Sequence, residues 1–518
     1  MKTESKRLIL IMPPQQGLLE GFAAGLISLA NYVASMTNKI ATDILDLSCF
    51  SSSGAKTELD HTFSEIKERT IFVGITTTTA SYQSALEVGR FVKGIAPNAI
   101  IVFGGHHASA DPEITLRYHK QTVDFIIAGE GEKALFELIH LYPILTNVPG
   151  ICFLDSSENF VRNDLPAALS SEELDSIPIN YKDNGLIGTP GKFDHATYVS
   201  ARGCPLNCSF CAVGNDDIRF KSISAVKRDI EFLLDMGFSR IAIEDNFFAH
   251  SPSRTHDICK ALANIRRKRN GAFAWDCQTR VESLARKNTI DLMAKAGCEA
   301  VYIGVESLHP EHLLYLNKTT DPSEYLNMLT QIVIPSLLDT EIECYLNLQF
   351  GLPGETEEHE RATHSRLEAL GRLADSRGKT ITIFPQLHVV YPGTAHFQQG
   401  VNKRRFTRDI FETFTEWEYR QPPVLYWLGE HFAHGTGGIP EGILKPAVLR
   451  SGGFYDTEEV VDTKAVFRIS AVLRAIDRIK GMRTFNYGDY IVSEARPQNI
   501  SSAQKHVAVN LDAKGVIR

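Results

Sequence analysis

Cys204, Cys208 and Cys211 stand in Gly203-Cys204-Pro205-Leu206-Asn207-Cys208-Ser209-Phe210-Cys211, a Cys-x3-Cys-x2-Cys spacing. Three thiolates on one short loop suit three irons of a [4Fe–4S] cluster and leave the fourth iron without a protein ligand. Such an iron suits a chelating molecule that offers an amine and a carboxylate. A structural zinc site is the competitor, but zinc wants four ligands, usually as two pairs. No second Cys/His pair stands nearby, and His195 lies on the far side of the preceding strand. The other six cysteines (Cys49, Cys152, Cys259, Cys277, Cys298 and Cys344) sit among apolar neighbours and read as small buried hydrophobes. Nine cysteines in 518 residues is far from disulfide density.

The loop needs a strand to launch it, and 196–202 has the composition of one. Further strands are expected at 240–244, 272–277, 300–305, 341–350 and 380–390, and Ile223, Val226, Ile230, Leu233 and Leu234 form a helical apolar stripe. Polar residues collect where these strands end: Asp245-Asn246, Gln278-Thr279-Arg280, Gly304-Val305-Glu306-Ser307, Gly351-Leu352-Pro353-Gly354-Glu355-Thr356 and Tyr391-Pro392-Gly393-Thr394. Arg280 offers a fixed fork of donors for a carboxylate, while Glu306 and Ser307 suit an amine or a ribose. Strand-end salt bridges and caps are the ordinary alternative for each, and Gly354 and Gly393 read as turn-formers.

Upstream, short apolar runs at 7–12, 41–47, 71–76, 99–103 and 124–128 alternate with amphipathic stretches such as 21–36 and 81–94. Five such repeats imply a parallel, doubly wound sheet with helices on both faces. Its ligand crevice should lie at the carboxyl ends of the strands. Those ends carry Gln16, then Thr76, Thr77, Thr78 and Ser81, then Gly104, Gly105 and His106, then Gly129, Glu130 and Gly131. Glycines admit a flat ligand close to the backbone, and hydroxyls at a helix start serve as caps or ligand contacts. No Gly-x-Gly-x-x-Gly follows the first strand, against a dinucleotide site.

The cysteine spacing is the signature of the radical S-adenosylmethionine (SAM) superfamily, and the glycine-rich rim resembles its attached cobalamin-binding domain. Together they resemble the cobalamin (B12)-dependent radical SAM enzymes over roughly residues 1 to 400. The resemblance implies an α/β fold: a Rossmann-like cobalamin domain over 1–150, a linker over 151–194, a partial (β/α)6 TIM-type barrel over 195–400, and a mostly helical substrate-capping domain over 401–518. It implies that Cys204, Cys208 and Cys211 hold the cluster and are catalytic. Phe210, Asp245, Gln278, Arg280, Glu306 and Ser307 would contact S-adenosylmethionine, and Gln16, Thr76, Thr77, Thr78, Ser81, Gly104, Gly105, His106, Gly129, Glu130 and Gly131 would contact cobalamin. None of the 17 histidines sits in the Asp-x-His-x-x-Gly loop of domains that ligate cobalt from below.

The implied activity is methyl transfer from methylcobalamin to an unactivated carbon of a small molecule, after hydrogen abstraction by a 5′-deoxyadenosyl radical. Ring contraction or oxidative cyclisation is the second reading, and a non-catalytic cobalamin or redox sensor a remote third. Methylthiolation is disfavoured, because such relatives carry a second N-terminal cysteine triplet. An external donor of flavodoxin or ferredoxin type would supply electrons.

Charge and hydropathy narrow the setting. With 54 Lys+Arg against 62 Asp+Glu the net charge is −8, unlike a general nucleic-acid binder. No apolar run approaches the ~20 residues that span a bilayer, and the first apolar stretch breaks at Pro13-Pro14, so a cytoplasmic enzyme is expected. Beyond Gly400 the chain turns aromatic-rich (Phe406, Phe411, Phe414, Trp417, Tyr426, Trp427), and a helix is expected from Asp456 to about Lys480. His431 and His434 lack a third partner for a metal.

Overall fold

A computed structural model describes residues 6–14, 24–48, 50, 52–66, 70–78, 81–110, 112–179, 195–350, 352, 355–388, 391–402, 476 and 478–484. The runs richest in Val, Ile and Leu become strands β1 (Lys6–Met12), β2 (Ile40–Asp46), β3 (Thr70–Thr76), β4 (Ile100–Gly104) and β5 (Phe125–Ile127). They pair in parallel in the order β2-β1-β3-β4-β5. Leu8 and Leu10 pack with the helices Ala24–Met36 and Gly131–Leu141 on one face. Ile9 and Ile11 pack with the helix Tyr82–Ile95 on the other. The strand order reverses between β1 and β3, which places the crevice at the carboxyl ends of those two strands.

The first residues of the expected 151–194 linker add two antiparallel strands to this sheet. Strand β6 (Ile151–Leu154) pairs antiparallel with β5, and β7 (Phe160–Arg162) with β6. Ile151 and Cys152 are fully buried there, and Asp155 closes the hairpin by accepting from the Ser157 and Asn159 amides, each at 2.8 Å. Further on, Ser170 and Glu173 form a capping box on the short helix Ser171–Ser176.

The second unit starts with β8 (His195–Tyr198), then β9 (Ala201–Arg202) and β10 (Arg219–Phe220), then β11 (Arg240–Ile243), β12 (Ala274–Thr279), β13 (Cys298–Glu306), β14 (Glu343–Phe350) and β15 (Ile381–Leu387). The six expected strands β8 and β11 to β15 are all present, parallel and in chain order. A seventh, β16 (Met482–Thr484), pairs in parallel with β15 at the edge. Among the described residues β8 and β16 stand at the two ends of this strand order. The helix Ile223–Asp235 carries the expected stripe inward, with Val226, Ile230 and Leu233 fully buried. The capping domain, its aromatics, His431, His434 and most of the 456–480 helix lie outside the described residues.

The expected 196–202 strand is split, and the cause is Asp245. Its carboxylate accepts from the Ser200 amide at 2.6 Å, the Ala201 amide at 2.9 Å and the Ser200 hydroxyl at 2.6 Å. Those groups are bonded to a side chain instead of a neighbouring strand, so the chain leaves β8 and turns into β9. The turn aims the cysteine loop across the strand ends.

Candidate active site

The cysteine loop is built on a two-stranded stem. Strands β9 and β10 pair antiparallel, with Arg202 opposite Arg219 and Ala201 opposite Phe220. Gly203 at the stem's exit has φ 87°, and a Cβ there would run into the Asp217 carbonyl. Within the loop, the Asn215 amide donates to Leu206 O at 2.9 Å and the Asp216 amide to Cys204 O at 3.0 Å. Ser209 is held at three points: its amide by Leu316 O, its hydroxyl by Tyr315 O, and its carbonyl by the His396 amide, each at 3.0 Å. Phe210 is half-buried beside it.

The three thiols fit a metal cluster by their chemistry. All are free of disulfides. Burial pushes the Cys204 and Cys211 thiols above their ordinary range, so a bound cation is needed to make thiolates favourable. Two cations face the loop: Arg280 Nη1 donates to Cys208 Sγ at 3.4 Å, and Arg280 and Lys318 both pull the Cys204 thiol back down.

The expected SAM contacts divide by geometry. Arg280 reaches the loop and is braced by Glu282 Oε1 at 2.9 Å and by the Lys318 carbonyl. Glu306 is buried beside it, with Oε1 3.1 Å from Lys318 Nζ and Oε2 accepting from Gln349 Nε2 at 2.8 Å. Gln349 Oε1 in turn lies 2.7 Å from His388 Nδ1. Gln278 is half-buried on β12. Ser307 is engaged as a turn brace, accepting from the His309 amide at 3.0 Å. Asp245, 2% exposed, is engaged by the β8–β9 bend.

Lys318, Gln349 and His388 were not legible as site residues. The available hint was Gly304, where a Cβ would lie 2.9 Å from Glu306 Oε1 and 3.0 Å from Lys318 Nζ. A second group near this rim, His309, Glu311 and His359, has ligand-type spacing. His359 Nδ1 accepts from the Thr356 amide at 3.2 Å, so Nε2 carries the hydrogen and faces Glu311 Oε2 at 3.5 Å. That tautomer caps the helix Glu357–Asp375 and leaves no lone pair for a cation.

In the first unit, the expected cobalamin rim sorts into braces and open surface. Thr77 is fully buried, with its hydroxyl donating to Gly104 O at 2.7 Å and accepting from the Ala108 amide at 3.2 Å. Ser81 is fully buried and accepts from the Thr78 amide at 3.0 Å. Thr76 and Gly104 are half-buried, and His106 and Gly129 are exposed. Gly105 has φ 96°, and a Cβ there would lie 2.5 Å from Thr77 O. A rim without side chains at Gly104, Gly105 and Gly129 fits a broad flat ligand. Gln16 lies outside the described residues. Gly131 starts a helix. The Glu130 carboxylate is taken up by Arg219 at 2.9 Å and by the Leu169 amide, also at 2.9 Å.

The two rims meet. A Cβ at Gly393, on the loop after β15, would lie 3.3 Å from the Ala110 Cβ of the first unit. Arg202 Nη2 lies 2.6 Å from Glu132 Oε1 and 2.8 Å from Ser28 Oγ, and Nη1 lies 3.4 Å from Glu130 Oε1.

A doubly wound domain whose open rim abuts a parallel α/β sheet bearing an open three-cysteine loop defines an enzyme architecture for two cofactors. The chain matches the B12 binding domain over residues 29–139 and the Radical SAM superfamily over residues 198–367. It belongs to the cobalamin-dependent radical SAM enzymes, whose cofactors are cobalamin, a [4Fe–4S] cluster and S-adenosylmethionine. It is 28% identical over 380 residues to the uncharacterized methyltransferase PH0819 of Pyrococcus horikoshii, covering 69% of this chain and 76% of that one. It is also 28% identical to the anaerobic magnesium-protoporphyrin IX monomethyl ester cyclase of Cereibacter sphaeroides, over 55% of this chain and 47% of that one. Among solved structures, OxsB with aqua-cobalamin and S-adenosylmethionine superposes with TM-score 0.64 at 15% identity, covering 96% of this chain and 82% of that one. TsrM from Kitasatospora setae gives 0.63 at 20%, covering 76% and 78%. These two likenesses concern the fold.

Proposed function

We propose that the protein methylates an unactivated carbon of a small-molecule substrate. When bound, the cluster and S-adenosylmethionine supply one-electron cleavage to a carbon-centred radical, and cobalamin supplies a transferable methyl group. The observation that carries this reading is the contact between the cysteine-loop stem and the first unit's rim, through Arg202 and Glu132. A substrate held between the two rims that this contact brings together would touch both cofactor sites.

The chain's own residues would act by holding and orienting. Cys204, Cys208 and Cys211 hold three irons. Arg280 keeps a positive charge against Cys208 and favours the thiolate. Glu306, fixed between Lys318 and Gln349, presents a rigid carboxylate to an amine. Phe210, beside Cys211, and Gln278, on β12, would contact S-adenosylmethionine, and Gly105, His106 and Gly129 would offer backbone and an imidazole to the corrin edge. Asp245 and Ser307 position the loop and the helix start.

Oxidative cyclisation is a second reading, supported by the cyclase relative, which is as similar in identity as the methyltransferase relative. Turnover with methyl-labelled S-adenosylmethionine separates them by product mass. A gain of one labelled CH2 unit supports methylation, and a loss of hydrogen without label overturns it in favour of cyclisation.

A further inference from the structure

Four charged side chains join the stem of the cysteine loop to the first unit, and neither cofactor accounts for them. Arg202 and Arg219 face each other across the β9–β10 ladder, at the two ends of the loop that carries all three cysteines. Glu130 and Glu132 flank Gly131 at the start of the helix Gly131–Leu141. Glu132 accepts from Arg202 at 2.6 Å and from Ser28 Oγ at 2.7 Å. Glu130 bridges both arginines, at 2.9 Å to Arg219 and 3.4 Å to Arg202. Arg219 also donates to the Leu169 carbonyl at 3.0 Å and to Asp216 Oδ2 at 3.0 Å.

The Glu132 side chain is 4% exposed and that of Arg202 22%. Burial alone would raise the Glu132 carboxyl, yet Arg202 holds it below the ordinary glutamate range. For stability alone such a network is a poor choice, because well-packed apolar residues serve as well or better. What planar, multiply bonded guanidinium–carboxylate pairs add is direction. The reaction proposed above depends on direction, since small misplacement of reacting groups costs on the order of a hundredfold in rate.

We propose that Arg202 and Glu132, with Arg219 and Glu130, form a clamp that sets the separation of the cluster loop from the cobalamin rim, and so act as positioning residues for transfer between the two sites. This rests on the two-cofactor reading of the preceding subsection. It also reassigns Glu130 from ligand contact to clamp.

The test uses full-length holoenzyme carrying Arg202→Gln, Arg202→Lys or Glu132→Gln. Iron content is checked first, then 5′-deoxyadenosine and methylated product are counted in the same reactions. The clamp predicts that Arg202→Gln and Glu132→Gln keep iron loading and form 5′-deoxyadenosine within about twofold of wild type, while product falls at least tenfold. Arg202→Lys should recover part of the product yield. In the apo-protein, hydrogen exchange should quicken in peptides covering 126–134 and 200–204 and stay unchanged in 70–78. Equal falls in 5′-deoxyadenosine and product, loss of iron in both arginine variants, or unchanged exchange at 126–134 would each overturn the clamp. A wild-type enzyme that consumes substrate without methylating it would remove the methyl-transfer reading, and the apo-protein exchange result would still decide for or against the clamp.

Discussion

Arg280 and Cys208, on different elements and 72 residues apart, meet at 3.4 Å, Nη1 to Sγ. The guanidinium is aimed by Glu282 and the Lys318 carbonyl, so its charge is delivered to the cysteine loop in a fixed direction. Arg280→Gln removes a charge-assisted hydrogen bond of about 2 kcal/mol. At a tenfold change per 1.4 kcal/mol, S-adenosylmethionine cleavage should slow by roughly thirtyfold. Arg280→Lys should not restore it, because an ammonium cannot reach Glu282, Lys318 O and Cys208 together. Single-turnover 5′-deoxyadenosine formation measures both variants.

Glu306 and Lys318 make a buried pair. Lys318→Met leaves the carboxylate buried with only Gln349 and should cost about 3–5 kcal/mol in urea unfolding. Glu306→Gln in the same chain removes the stranded charge, so the double variant should regain most of that loss. Both should raise the KM for S-adenosylmethionine. Additive losses in the double variant would contradict the pairing.

His107 sets an acid limit on the first unit. Burial, then His119, depresses its imidazole from the ordinary 6.5 to about 3. The folded state therefore binds fewer protons than the unfolded one between those values. The contribution is complete above pH 6.5 and is lost as pH falls toward 3, costing about 2 kcal/mol at pH 5. His107→Phe keeps a ring against Tyr82, whose centroid lies 4.1 Å away, and should flatten the fall in Tm between pH 6.5 and 5. An unchanged slope would count against the assignment.

Gly105→Ala tests the rim. At φ 96° a side chain is strained, and the new Cβ would press on Thr77 O. Cobalamin uptake, followed by corrinoid absorbance, should weaken at least tenfold while the first unit still unfolds cooperatively.

Much of this architecture was legible in the chain because buried parallel strands announce themselves as apolar runs, and β1 to β5 and β11 to β15 fall where those runs do. The cysteine loop was legible because its spacing is local. Features set by distant residues were not. The break between β8 and β9 depends on Asp245, 45 residues away in the Ser200 contact. The bond between Glu130 and Arg219 was hidden because nothing local shows the arginine, 89 residues on. Lys318 and Gln349 carry no motif, and only folding brings them to Glu306. The hairpin β6–β7 was hidden by the polar stretch that follows it.

The most direct measurement is cleavage of S-adenosylmethionine by anaerobically reconstituted protein under a strong reductant, with iron counted in the same sample. The wild type should carry about four irons and form 5′-deoxyadenosine steadily, and Cys204→Ala, Cys208→Ala and Cys211→Ala should form none. Undiminished cleavage in any of the three variants, or a fully loaded wild type that leaves S-adenosylmethionine intact, would contradict it.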